Sequence, residues 1–194
     1  MALLAALLAG CGLAPKAPVG VVDLPARSAP GPGGEALPMQ LEVAEPEANA
    51  LLDSRRIALR DPDGRLAQLA GVALPDRAPR WLQGRLIDAL AVRPFAAVAA
   101  PGSGLKPDLR LILRLQRFEL DYRGEALGGV ALHAVLAEAG TGRALASQRF
   151  EASEPVDGRG SAAGAEALQR AASELAEALA EWVEAQARSA VAAE

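Results

Sequence analysis

The sequence predicts an α+β fold in which a small, mostly antiparallel sheet carries two helices on one face. Three observations carry that expectation. Over residues 108–122, Leu109, Leu111, Leu113 and Leu115 alternate with Arg110, Ile112, Arg114 and Gln116, the two-residue period of a strand with one dry face. Over about 78–92, and again from about 161 to 187, apolar residues instead recur every three or four positions, as on one stripe of a helix. Asp-Pro-Asp-Gly at 61–64 and Gly-Thr-Gly at 140–142 punctuate the strand-like stretches, as hairpin turns do.

Taken in order, residues 39–43 alternate apolar and polar positions and open the folded part as a half-buried strand. Residues 56–60 form the next strand, and the 61–64 turn returns it along 65–69 as a hairpin. Pro79 sits where a first helical turn tolerates it, and Trp81, Leu82, Leu86, Ala89 and Leu90 follow at helical spacing. Arg80, Arg85 and Asp88 take the other side, and the helix stops before Pro94. A short strand near Phe95–Ala99 precedes the long one. Beyond Arg117 the apolar residues move to Phe118, Leu120 and Tyr122, a change of parity that would turn them to the wrong face of an unbroken strand. A β-bulge near Gln116 and Arg117 is therefore expected. Gly124 and Gly128-Gly129 flank the return; Val130, Leu132, Ala134 and Leu136 alternate again, and 140–142 leads into a third strand over 143–153. The three make a meander. In the closing helix, Ala167, Leu168, Ala171, Leu175, Ala178, Leu179, Trp182 and Val183 form one stripe, with several kcal/mol available from docking its large anchors. It also carries the net charge: residues 1–159 hold 18 basic and 18 acidic side chains, residues 160–194 two and six.

Composition narrows the chemistry. With 45 Ala, 30 Leu and six aromatic residues among 194, the core is aliphatic. A single Cys and a single His exclude a disulfide framework, a Cys/His zinc cluster and any catalytic pair beyond what His133 alone can serve. A net charge of −4 without a Lys/Arg block argues against nucleic acid as a partner.

The amino terminus reads as an address and a tether. Residues 2–8 are an unbroken apolar run, too short for the roughly 20 residues a membrane span needs but suited to a signal-peptide core. Leu8-Ala9-Gly10-Cys11 resembles a bacterial lipobox, in which the Cys thiol accepts a diacylglycerol and cleavage falls just before it. Gly12, where lipoproteins retained in the inner membrane of some bacteria carry Asp, favours sorting to the outer membrane. Residues 14–38 hold six Pro and four Gly with no period, as expected of an extended, mobile segment. The expected layout is a signal peptide at 1–10, a lipidated Cys11 and tether at 11–38, one domain at 39–188 and a disordered tail at 189–194.

Few other residues point to chemistry. His133 lies out of phase with the apolar positions of its strand and is expected on the less buried face, without a second metal ligand. Glu119 and Asp121 share a strand face with Arg117 and Arg123, which reads as a solvated charge ladder rather than a paired-carboxylate site. Gly-Ser-Gly at 102–104 lacks the Lys and following helix of a phosphate cradle. Arg110, Ile112 and Arg114 share the non-Leu face of the best strand and are the candidate partner-facing patch; the alternative is an ordinary solvated sheet face.

The lipobox, the Pro-rich tether, Leu-Leu-Asp-Ser-Arg-Arg-Ile-Ala at 51–58, Ala-Pro-Arg-Trp-Leu-Gln at 78–83, Leu-Arg-Leu-Ile-Leu-Arg-Leu-Gln-Arg-Phe at 109–118, Ser-Gln-Arg-Phe at 147–150, Glu-Pro-Val at 154–156 and a closing Ala-rich helix occur in this order. That series resembles the ABC-type transport auxiliary lipoprotein family, whose better-known members accompany MCE lipid transport systems of the paraquat-inducible kind. The resemblance implies an α+β domain similar to the amino-terminal domain of TolB. It further implies a non-enzymatic, periplasm-facing accessory, held in the outer membrane by acyl groups on Cys11, that partners an ABC permease and ATPase and an MCE-type protein and serves lipid or another apolar cargo. No cofactor and no catalytic residue is implied. A long partner, or a homo-oligomer forming a ring, would be needed for the tether to bridge the periplasm. Two other classes stay open: a structural or assembly lipoprotein of the outer membrane without a transporter, and a periplasmic enzyme, the weakest because no nucleophile, base and oxyanion site assemble.

Overall fold

The computed structural model describes residues 20–21 and 35–192; Cys11, the signal-like run and most of the expected tether lie outside the described residues. In chain order the elements are β1 (Gly20–Val21), β2 (Leu37–Val43), β3 (Ala58–Arg60), β4 (Leu66–Gln68), β5 (Val72–Ala73), α1 (Ala78–Ala91), β6 (Phe95–Ala99), β7 (Leu109–Asp121), β8 (Leu127–Glu138), β9 (Ala144–Pro155) and α2 (Ser161–Val191). Strands β7, β8 and β9 form the expected antiparallel meander. The other edge of β7 is shared: β2 pairs with its first residues and β3 with its last, both in parallel. Each brings a further strand, β6 parallel to β2 and β4 antiparallel to β3, so the seven-stranded sheet is open and mixed. Both helices cover one face, α2 over β8 and β9 and α1 beside it toward β2 and β6.

The bulge falls where the parity of β7 changes. Leu115 pairs with Leu132 and Arg117 with Ala131, leaving Gln116 as the extra residue. Leu109, Leu111, Leu113 and Leu115 therefore share the helix-covered face with Phe118 and Leu120, and all six are buried. The 61–64 turn also forms as expected: the Asp61 carboxylate accepts from the Arg65 amide at 2.8 Å, and Gly64 takes the positive φ of +82° that the turn requires. α1 begins at Ala78 with Pro79 in its first turn and seats Leu82, Leu86 and Leu90 with no exposure. Gln83, buried beside them, donates its side-chain amide to the Val43 carbonyl at 2.9 Å.

Edge-to-face ring pairs fix both helices, Trp81 on Phe118 with centroids 5.8 Å apart and Trp182 on Phe150 at 5.5 Å. Between these anchors α2 lies on Ala residues. Ala167, Ala171, Ala172, Ala176, Ala180 and Ala187 are buried, whereas Ala178, expected on the inner stripe, points outward. At Gly128 an added Cβ would stand 2.5 Å from the Leu168 amide nitrogen, so the helix backbone rests directly on that glycine. Gly128 and Gly129 are thus strand residues of β8, where turn residues were expected.

Ordered structure extends past the expected limits of the domain in three places. β2 begins at Leu37, inside the expected tether, because the Leu37 amide bonds the Pro94 carbonyl at 2.8 Å and its side chain is buried. Gly20 and Val21, also expected to be tether, pair in parallel with β5. α2 continues to Val191, so residues 189–191 of the expected tail are helical; Ala187 is buried, and Arg188 pairs with Glu184 one turn back and with the Glu35 carbonyl.

Candidate functional site

Among the described residues, no further layer covers the face of the sheet opposite the two helices. Because β7 alternates, that face receives Arg110, Ile112 and Arg114 before the bulge and Arg117, Glu119 and Asp121 after it. Arg110, Ile112 and Arg114 are all exposed, Ile112 by 45%, while Leu113 between them is 2% exposed. The pairing of β7 through β9 sets these residues in rows across three strands. One row is Ile112, Val135 and Ser147; the next is Arg114, His133 and Arg149. An apolar spot therefore sits beside a row of two guanidinium groups and an imidazole. His133 is half-buried on this face, as its phase predicts.

Carboxylates at the rim hold the arginines. Arg110 Nε donates to Glu42 at 2.7 Å, Arg114 lies 3.8 Å from Glu47, and Arg149 meets Glu151 at 2.9 Å. These pairs are largely exposed, each worth at most about 1 kcal/mol in stability, so the guanidinium groups can exchange partners at little loss. Arg117 lies flat over Gly129, where a Cβ would come within 2.5 Å of its guanidinium, and it donates to Ser153 at 2.7 Å.

The expected charge ladder beyond the bulge is corrected in part. Glu119 is buried to 8% exposure, because β3 runs beside this end of β7 and Arg60 donates Nε and Nη2 to its two carboxylate oxygens at 3.2 Å. Asp121 remains paired with Arg123, whose hydrogen bond is the main cause of its carboxyl being lowered to about 2. Parity along β7 located Arg110, Ile112 and Arg114; it gave no hint of Glu42, Val135 or Arg149, which arrive only through strand pairing.

On the helix side, Trp81, Phe118, Leu74 and Leu168 line a cleft of about 10 Å³, room for about one water and far too little for an acyl chain. Among the described residues no three His, Cys, Asp or Glu side chains converge as metal ligands. No helix among them is long and apolar enough to cross a membrane. The arrangement offers a contact surface, charged at its rim and apolar at one spot.

Comparison with known proteins agrees with this architecture. A crystallised protein of Xanthomonas campestris, XCC0632, superposes with a TM-score of 0.80 at 26% identity, over 90% of this chain and 99% of that one. A second solved structure, of an uncharacterized protein, superposes with a TM-score of 0.68 over 86% of this chain and 99% of that one, but at 14% identity it bears on the fold alone. A relative from Bradyrhizobium diazoefficiens, the uncharacterized protein bll6063, is 30% identical over 153 residues; the match covers 78% of this chain and 41% of that protein's length. The family model for the ABC-type transport auxiliary lipoprotein component matches residues 23–180, and the chain belongs to that family.

Proposed function

We propose that this protein is a non-enzymatic connector of an MCE-type ABC transport system for lipid or another apolar cargo, anchored in the outer membrane by acyl groups on Cys11 and facing the periplasm. Membership of the auxiliary lipoprotein family supports an envelope-located accessory of ABC-type transport; the finer reading rests on the lipobox-like residues 8–11, on Gly12 and on the uncovered sheet face. The observation that carries it is the contrast within β7, whose inner side chains are sealed by two helices while Ile112 stands exposed between Arg110 and Arg114. Such a face suits a partner that supplies carboxylates to the two arginines and an apolar side chain to Ile112. The partner is the periplasmic part of the permease or its MCE-type protein. The action is connective: it holds a conduit in place and leaves the cargo unchanged.

Affinity purification of the full-length protein from mildly solubilised membranes, with mass spectrometry of what accompanies it, tests this reading beside Cys11→Ala and Ile112→Asp. An ATPase, a permease and an MCE-type protein should co-purify with the wild type, be lost with Ile112→Asp, and leave the outer-membrane fraction with Cys11→Ala. Recovery of the acylated protein alone, or with outer-membrane assembly factors, would replace the transporter by a structural role.

A further inference from the structure

β1 fixes the amino-terminal segment to one end of the domain. Gly20 pairs with Val72 and Val21 with Ala73, and the Gly20 amide donates to the Gly71 carbonyl at 2.9 Å. The receiving strand is firmly rooted. Val72, Ala73 and Leu74 are buried, the Leu74 amide bonds the Arg55 carbonyl at 2.8 Å, and the Ala70 carbonyl accepts from Ser161 Oγ at 2.7 Å, in the first turn of α2. The other end of α2 is marked by Arg188, whose Nη2 donates to the Glu35 carbonyl just before β2. The two amino-terminal strands are therefore attached to opposite ends of a 31-residue helix, about 46 Å long at 1.5 Å per residue.

Chain length converts this attachment into an orientation. Nine residue steps separate Cys11 from Gly20, a reach of at most about 30 Å. The 26 steps from Cys11 to Leu37 would allow about 90 Å if β2 were the first fixed point. Resting on the reading of Cys11 as the lipid anchor, we propose that the end of the domain formed by β1, β5 and the first turn of α2 faces the lipid surface, held within about 30 Å of it, while the far end of α2 points away. Val21 in β1 and Leu66 in the neighbouring hairpin, 55% and 50% exposed, are the most exposed large apolar side chains among the described residues, as suits an end turned toward lipid. Strand pairing at Gly20 shortens the span between anchor and domain from 26 steps to nine, and so sets how far the domain can stand from the membrane.

The test uses the full-length acylated protein in vesicles of phosphatidylethanolamine and phosphatidylglycerol containing a headgroup-labelled energy acceptor. A donor dye is placed on Ala70→Cys, beside β5, or on Gly140→Cys, in the turn between β8 and β9 at the opposite end; acylated Cys11 does not compete for the label. Transfer should be strong from position 70 and weak from position 140. Gly20→Pro, which removes the donor to Gly71 at an exposed position, should abolish that contrast. Equal transfer from both positions, or a contrast untouched by Gly20→Pro, would overturn the inference while leaving the anchor intact. Intact mass separates the two claims: a chain without acyl groups at Cys11 would overturn the anchor and this inference together.

Discussion

Leu113 and Ile112 are neighbours on one strand and live in different media. Leu113 is sealed on the helix-covered face, whereas Ile112 stands in solvent between two arginines. The contrast holds from Leu109 to the bulge at Gln116, where the parity changes so that Phe118 and Leu120 stay on the covered face; beyond it the opposite face is partly closed, Glu119 being buried against Arg60. Among the described residues the helices cover one side of the sheet, and the two faces divide the labour. The covered face holds the free energy of folding, since each buried Leu or Phe contributes roughly 1.5–3 kcal/mol. The open face can be altered with little effect on the fold, which leaves it free to carry recognition.

The most damaging test of that division is deletion of Gln116. Without the extra residue, Phe118 and Leu120 turn to the open face and the Glu119 carboxylate turns into the apolar core, away from Arg60, removing two large anchors of roughly 1.5–3 kcal/mol each and leaving a buried charge without its partner. Circular dichroism against temperature should show no cooperative transition. A smaller loss is expected from Leu113→Ala, about 3 kcal/mol in chemical denaturation, and from Gly128→Ala, about 2 kcal/mol, because the new methyl meets the α2 backbone at Leu168. Ile112→Asp should cost only about 1 kcal/mol of stability while abolishing partner capture. If it unfolds the protein instead, the open face is part of the core and the comparison fails.

The smallest expected effect is on pH dependence. The Asp121 carboxyl, hydrogen-bonded by Arg123, titrates near 2 in the folded chain, below its ordinary value near 4. Its contribution is therefore fully present above about pH 4 and is lost as pH falls from 4 toward 2. Urea midpoints measured across that window should fall less steeply for Asp121→Asn than for the wild type.

These residues also show which physical signals a sequence carries. Side-chain parity reports the face of a strand, so the bulge, the meander and the outward placement of Arg110, Ile112 and Arg114 are legible in the sequence. Parity does not report a strand's neighbours. The parallel insertion of β2 and β3 along two halves of β7 was therefore invisible, and with it the burial of Glu119 by Arg60. The Arg114–His133–Arg149 row was hidden for the same reason, since it depends on the register of three strands at once. β1 has only two residues, too few for any period; its pairing depends on where the β5 edge lies. In α2 the many Ala residues blur the stripe, because a small side chain packs inward or faces water with little difference, and Ala178 accordingly faces outward although its spacing matches the stripe.

Whether the open sheet face carries the partner can be read by site-specific photo-crosslinking in living cells. A photoreactive amino acid is placed at position 112 on the open face, or at position 174 on the exposed side of α2. A covalent adduct with a permease or MCE-type protein is expected from position 112 and none from position 174. Adducts from position 174 alone would place the partner on the helices, and the open sheet face would be only a solvated surface.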